Sequence, residues 1–140
     1  MTAYVAGFMF SENGEEVALI LKAKPEWQRG KLNGIGGKIE TGELPIEAMV
    51  REFQEETGYK TDQIQWWPFA TLGGADWTVH FFTTRGPVYE LRSTTDERVT
   101  VVPWKHVDAT VAIPNLTWLL PMARSINYEQ AYSFHITEEY

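Results

Sequence analysis

Apolar and polar positions along this chain follow two periods, and the places where the period changes mark its elements. Tyr4 to Phe10 is rich in β-branched and aromatic residues, and Val17 to Leu21 is an unbroken apolar run. Ser11-Glu12-Asn13-Gly14 between them supplies turn chemistry, so the pair predicts a hairpin whose second strand is buried. From Lys22 to Gly37 the pattern lapses into a basic, glycine-rich stretch, which predicts an irregular loop with one short extended piece around Leu32. At Pro45 a helical period begins. Ile46, Met49, Val50 and Phe53 recur at i, i+3, i+4 and i+7, Pro45 suits the first helical position, and Gly58 suits the residue just past the end. A helix over Pro45 to Thr57 follows.

Further on, Trp66 to Leu72 and Trp77 to Thr84 read as strands about a Gly73-Gly74 turn, and Val99 to Val102 as a strand ended by Pro103. Asn115 to Ser125 is expected to be a second helix, entered after Pro114 and interrupted at Pro121. Tyr132, Phe134 and Ile136 alternate as a last strand would. Strands, one strong helix, more strands and a late helix describe a mixed α/β domain whose connections are too short for an alternating βαβ sheet. No repeat or linker divides it, so residues 1–140 are read as a single domain.

Composition narrows the chemistry. The chain has no cysteine, which removes thiolate metal sites, disulfides and a cysteine nucleophile. Its formal net charge of −7 repels a polyanion at long range, so no stable nucleic-acid partner is expected. A small phosphorylated substrate remains compatible, provided divalent cations stand between its phosphates and the protein's carboxylates. No apolar run reaches the roughly 20 residues that cross a bilayer, and the first residues lack the features of a secretory signal. No membrane partner is expected, and the default location is cytoplasmic.

The helix carries an unusual acidic cluster. Glu52, Glu55 and Glu56 lie within about a third of a turn of one another on a wheel. Glu52 and Glu56 are a like-charged i, i+4 pair, and Glu55 and Glu56 crowd the negative end of the helix dipole. Arg51 is expected to offset part of this through its i±4 neighbours Glu47 and Glu55. A lone Glu-Glu pair is usually just a solvated acidic face. Here Gly37, Glu43, Arg51, Glu52, Glu55, Glu56 and Gly58 stand at fixed spacings, a coincidence on the order of 10⁻⁸ per starting position at roughly 6–7% abundance each. Hard oxygen ligands clustered on a rigid helix suit Mg²⁺ or Mn²⁺.

Gly37-x₅-Glu43-x₇-Arg51-Glu52-Phe53-x-Glu55-Glu56-x-Gly58-Tyr59 resembles the Nudix box, with every specified Gly, Glu and Arg present and aromatics at Phe53 and Tyr59 where aliphatics are usual. Leu44 stands where a small capping residue is expected, which predicts a loose helix start. The resemblance implies a Nudix α/β/α sandwich with a mixed β-sheet. It implies that Glu52, Glu55, Glu56 and the Gly37 carbonyl bind Mg²⁺, that Arg51 pairs with Glu43, and that Glu52 or an acid on a later loop activates water. Glu97 is that later candidate, with a solvated loop its plainer reading. Lys38 would hold phosphate. The implied reaction is pyrophosphohydrolysis of a nucleoside triphosphate to the monophosphate and pyrophosphate, by a monomer or homodimer.

Leu32-Asn33-Gly34-Ile35-Gly36-Gly37-Lys38 is similar to the segment preceding the box in family members that sanitise oxidised purine nucleotides. That likeness nominates Asn33 and Trp27 for the base pocket, each also readable as an ordinary loop residue. Asn115 and Trp118, in a stretch similar to the same subgroup's purine-recognition segment, join them, although Asn115 and Leu116 replace a pair of aspartates. Two further readings stand beside this one. ADP-ribose, a nucleotide sugar, a dinucleoside polyphosphate or capped RNA could be the substrate, or the domain could sense a nucleotide without cleaving it. The glycine-rich stretch is neither a P-loop nor a dinucleotide fingerprint, because Ile39 stands where each needs another residue. His80, His106 and His135 have no zinc-site spacing and read as structural or exposed.

Overall fold

The computed structural model describes residues 1–126 and 134–138. Its elements are β1 (Thr2–Phe10), β2 (Glu16–Leu21), β3 (Leu32–Asn33), β4 (Ile35–Lys38), α1 (Pro45–Thr57), β5 (Trp67–Gly73), β6 (Trp77–Arg85), β7 (Arg98–Pro103), α2 (Leu116–Ser125) and β8 (Phe134–Thr137). Of the last strand expected around Tyr132, Phe134 and Ile136, Tyr132 lies outside the described residues. The loop expected between Lys22 and Gly37 is more ordered than its composition implies. It holds a short 3-10 turn at Glu26–Gln28 and the two strands β3 and β4.

β1 organises the sheet. It pairs antiparallel with β2 at Met9↔Ala18, antiparallel with β4 at Val5↔Gly37, and parallel with β6 along its whole length. The order runs β3-β2-β1-β6-β5-β8, with β4 added on β1 and β7 on β2. Parallel and antiparallel pairs in one sheet make it mixed.

Side-chain alternation in β1 separates two cores. Val5 and Met9 face α1, where they meet Ile20, Ile35, Met49, Phe53, Trp66 and Phe82. Phe8 and Phe10 face the other way, onto Leu19, Phe69, Phe81, Leu116, Leu119 and Leu120 under α2. A strand buried on both sides reads as a continuous apolar run, which is what Val5 to Phe10 shows. The result is the α/β/α sandwich, a sheet between two helices. Pro121 does not interrupt α2, which runs unbroken from Leu116 to Ser125. Leu116 and Leu119 before the proline's turn, and Leu120 and Ala123 around it, are all buried, so packing holds both halves of the helix in line despite the lost hydrogen bond.

Candidate active site

The start of α1 is set by a tie from one turn inside it. Leucine has no oxygen to cap with, yet the helix begins at Pro45, because the Leu44 N–H donates to Glu47 Oε1 at 2.8 Å and the Leu44 carbonyl accepts from Ala48 N at 3.0 Å. Glu47 is thereby turned away from Arg51, and the expected Arg51–Glu47 pair does not form. Only the Glu55 half of that expectation does.

Arg51 is instead the hub of a fork. Its Nε donates to Glu43 Oε2 at 2.8 Å and its Nη2 to Glu43 Oε1 at 2.9 Å, a bidentate pair. Nη2 also donates to the Lys38 carbonyl at 3.0 Å, which ties the end of β4 to the helix. The guanidinium's hydrogen bonds hold the Glu43 carboxyl down at about 2, against the opposing pull of burial, with the Glu40 N–H helping. The same contact pushes Arg51 up. Loop and helix are therefore clamped by groups that stay charged across the whole working range.

Nη1 of Arg51 reaches the acidic cluster, donating to Glu52 Oε1 at 2.9 Å and to Glu55 Oε2 at 3.4 Å. Glu52 is mostly covered, its side chain 13% exposed, and it lies flat against Gly37. A Cβ added to Gly37 would stand 2.6 Å from the Glu52 carboxylate, so glycine is the residue that leaves room for the acid there. Burial raises the Glu52 pKa, with Arg51 opposing and Glu55 and Glu56 adding to the rise. Glu55 points outward, 56% exposed. Glu56 accepts a hydrogen bond from Thr95 Oγ1 at 2.8 Å. Burial raises its pKa too, Thr95 and Lys22 oppose, and Glu97 and Asp96 push the same way as burial.

Glu97 belongs to this neighbourhood and is not a solvated loop residue. It is buried, with Oε1 3.1 Å from Lys22 Nζ and Oε2 accepting from Ala23 N at 2.7 Å. The register of β2 and β7 explains the pairing. Leu21 lies opposite Arg98, so the next residue of each strand in the antiparallel ladder brings Lys22 to Glu97. The chain just before Glu97 caps the end of α1. Gly58, at φ 73°, returns its N–H to the Gln54 carbonyl. Thr94 Oγ1 donates to the Glu55 carbonyl, Thr94 N to that of Glu56 and Arg92 N to that of Thr57. All four carbonyls that a helix end leaves open are thus used.

Among the described residues, no three acidic or histidine side chains converge closely enough to enclose a cation as they are placed. Glu52 and Glu55 lean on Arg51 and Glu56 on Thr95, each toward its nearest donor. The donor set nevertheless fits a hard divalent cation. It is all oxygen, it sits on one rigid helix beside a glycine that leaves space, and two of its carboxylates are partly desolvated beside like charges, a strain that a cation removes.

This arrangement of loop, helix and following turn is matched by a family model, the NUDIX domain, over residues 2–125. The chain belongs to the Nudix family. It is 44% identical over 52 residues to the 8-oxo-dGTP diphosphatase of Escherichia coli (strain K12), a stretch covering 37% of this chain and 40% of that protein. It is 32% identical over 107 residues to the putative nudix hydrolase 1 of Caenorhabditis elegans, covering 74% of this chain and 29% of the other. The matched stretch spans less than half the length of the curated relatives. Among solved structures, the mutator MutT protein of Bacillus halodurans superposes with a TM-score of 0.77 at 18% identity, covering 100% of this chain and 90% of that one, a likeness of fold.

The side of the Nudix domain expected to read the base is less tightly built. The chain at 111–113 runs beside β3, with Leu32 N donating to the Val111 carbonyl at 2.8 Å and Ile113 N to the Leu32 carbonyl at 3.0 Å. That link brings the neighbourhoods of Asn33 and Asn115 together. Asn33 is already employed, donating to Gln28 Oε1 at 3.1 Å and accepting from Gly34 N at 2.8 Å. Asn115 stands at the start of α2, and its buried Oδ1 has no hydrogen-bond partner among the described residues. Trp118 is half-buried against the core under α2. Trp27 is 70% exposed. Lys38 is exposed at the end of β4, and only its carbonyl is drawn into the Arg51 fork.

Three participants lay outside the residues singled out by pattern. Lys22 reaches Glu97 only through strand register, and Gln28 reaches Asn33 only through the fold of its loop. Thr95 has no motif at all. His80 is half-buried on β6, where burial lowers its pKa, and His135 contacts Thr71 across β5 and β8. No helix among the described residues is long and apolar enough to cross a membrane.

Proposed function

We propose that this Nudix domain is a divalent-cation-dependent pyrophosphohydrolase whose substrate is a nucleoside triphosphate, cleaved to the monophosphate and pyrophosphate. The observation that carries this reading is the fork of Arg51 on Glu43 and the Lys38 carbonyl, which sets Glu52 against Gly37 with Glu55 and Glu56 one turn further on. Bound Mg²⁺ or Mn²⁺ would supply charge neutralisation between carboxylate and phosphate and would acidify a coordinated water. Glu52, Glu55, Glu56 and the Gly37 carbonyl would hold it.

Within that frame the chain's own groups divide the work. Arg51 keeps the loop and helix in one geometry, so the carboxylates present a fixed donor set. Lys38, exposed at the mouth of the site, is free to hold terminal phosphate oxygens as a charged donor. Glu52 is the better-placed proton acceptor, because one of its oxygens carries no hydrogen bond from the described residues, whereas both oxygens of Glu97 are occupied by Lys22 and Ala23. Glu97 then acts on Glu56 through charge and through the loop they share. On the base side, the unpaired Asn115 Oδ1 is an acceptor waiting for a ligand N–H, which supports recognition of a base edge. The similarity to the E. coli 8-oxo-dGTP diphosphatase supports placing oxidised purines first in a screen.

The test is turnover with Mg²⁺ and Mn²⁺ over normal and oxidised nucleoside triphosphates, with ADP-ribose, nucleotide sugars, dinucleoside polyphosphates and capped RNA alongside. Pyrophosphate and monophosphate should appear only when cation is present, and Glu56→Gln should abolish them while the circular dichroism spectrum is unchanged. Undiminished cation-dependent hydrolysis by Glu56→Gln would refute the assignment. Thermal stabilisation by nucleotide without any turnover would point to a sensor.

A further inference from the structure

The hydroxyl of Thr95 lies within hydrogen-bond reach of three groups, of which the Glu97 carbonyl, at 3.5 Å, is the most distant. The hydroxyl donates to Glu56 Oε2 at 2.8 Å, and it accepts from the Glu97 N–H at 3.2 Å. One side chain therefore joins the last carboxylate of the helix to the backbone of the loop that carries Glu97. The residue before it, Thr94, is bound to the same helix end through its amide and its hydroxyl, on the Glu56 and Glu55 carbonyls. Thr95 is thus delivered to Glu56 by a backbone already docked there. The contact follows from a cap and does not depend on a wandering surface side chain.

We infer that Thr95 is a positioning residue that fixes which oxygen of Glu56 is presented to the cation. This rests on the Nudix hydrolase reading given above. A carboxylate on a flexible glutamate has two equivalent oxygens and several rotamers. A hydroxyl donor on Oε2 removes that freedom and leaves Oε1, which has no protein donor among the described residues, as the oxygen turned to the site. Carboxylates that bind cations depend on such supporting donors, and removing one commonly weakens metal affinity or activity by about 10- to 100-fold. Thr95 touches neither substrate nor reacting atoms in this scheme and acts wholly through Glu56 and the loop.

Thr95 is exposed, so replacing it disturbs no core packing. The experiment compares Thr95→Val, which keeps the shape and loses the hydroxyl, with Thr95→Ser, which keeps the hydroxyl. Binding of Mn²⁺ alone is followed by electron paramagnetic resonance of the free ion, without nucleotide. Thr95→Val should weaken Mn²⁺ binding by about 10-fold and lower kcat by a similar factor, with KM for nucleotide within about 2-fold. Thr95→Ser should restore both to within about 3-fold of the parent. A melting curve without cation checks that each variant folds as the parent does. Parental Mn²⁺ binding by Thr95→Val, or equal losses in both variants, would overturn the inference while the hydrolase reading stands. Glu56→Gln is the reference arm. If it binds Mn²⁺ and turns over like the parent, Glu56 is not a cation ligand and the role of Thr95 falls with it, whereas absence of cation-dependent turnover by the parent itself would overturn the hydrolase reading.

Discussion

The two ends of the candidate site are built to different standards. At the catalytic end, Arg51 alone makes contacts with Glu43, Glu52, Glu55 and the Lys38 carbonyl, and the four open carbonyls of α1 are all capped. At the proposed base end, Trp27 is largely exposed, Asn33 is taken up by its own loop, and a buried oxygen of Asn115 has no partner among the described residues. Under the hydrolase reading proposed above, the difference separates what must be preorganised from what must discriminate. Phosphate chemistry needs charges held in place before substrate arrives. Base recognition needs a group whose hydrogen bond is completed only by the right ligand, because an unmet buried acceptor penalises the wrong one.

The largest effect should come from breaking the fork conservatively. Arg51→Lys keeps the charge and loses the planar pair of donors, so one ammonium cannot serve both Glu43 oxygens and the Lys38 carbonyl. Turnover should fall by about 10- to 100-fold, and the domain should lose roughly 1–3 kcal/mol in a urea titration through the buried acceptors left unmet. Parental activity in Arg51→Lys would mean the catalytic end is not preorganised by this residue.

A smaller and more selective effect is expected at the other end. Asn115→Ala should lower kcat/KM by about 10-fold for those nucleotides whose base offers an N–H, with little change for the rest, and the melting temperature should not fall. An equal loss for every base would move Asn115 from recognition to packing and erase half of the contrast.

The smallest effect concerns acid. Glu43 is held at about 2 by Arg51, below its ordinary 4.5, so its contribution to stability is complete above that ordinary value and is lost as pH falls through about 2. Glu52 and Glu56 are raised by burial, so their charged forms cost stability at neutral pH, and that cost shrinks as pH drops below their folded values and is gone below the ordinary 4.5. The melting temperatures of the parent and Glu43→Gln should therefore differ at neutral pH and converge between pH 4.5 and about 2. A constant difference across that window would show that the pair does not titrate as a unit.

The chain by itself determined the parts made from near neighbours. The limits of α1 could be read from Pro45, Gly58 and the spacing of Ile46, Met49, Val50 and Phe53, because a helix is set by contacts three and four residues apart. The Nudix box could be read because its glutamates, Gly37 and its Arg51–Glu43 pair lie within a single loop and helix. Local rules also misled where packing or a competing partner intervened. Pro121 does not stop α2, since buried Leu119 and Leu120 before it and Ala123 after it anchor both halves, and Glu47 serves the helix start in place of pairing with Arg51.

Only the tertiary structure decided the contacts made across long loops. Lys22 meets Glu97 because β2 and β7 pair in one register, and a shift of one residue would turn both away. Thr95 meets Glu56 because the 92–95 loop caps a helix 39 residues earlier in the chain. Leu32, beside Asn33, is tied to residues 111–113, just before Asn115, by two backbone hydrogen bonds. Such pairings carry no spacing signal, since their partners are chosen by strand register and burial rather than by separation along the chain.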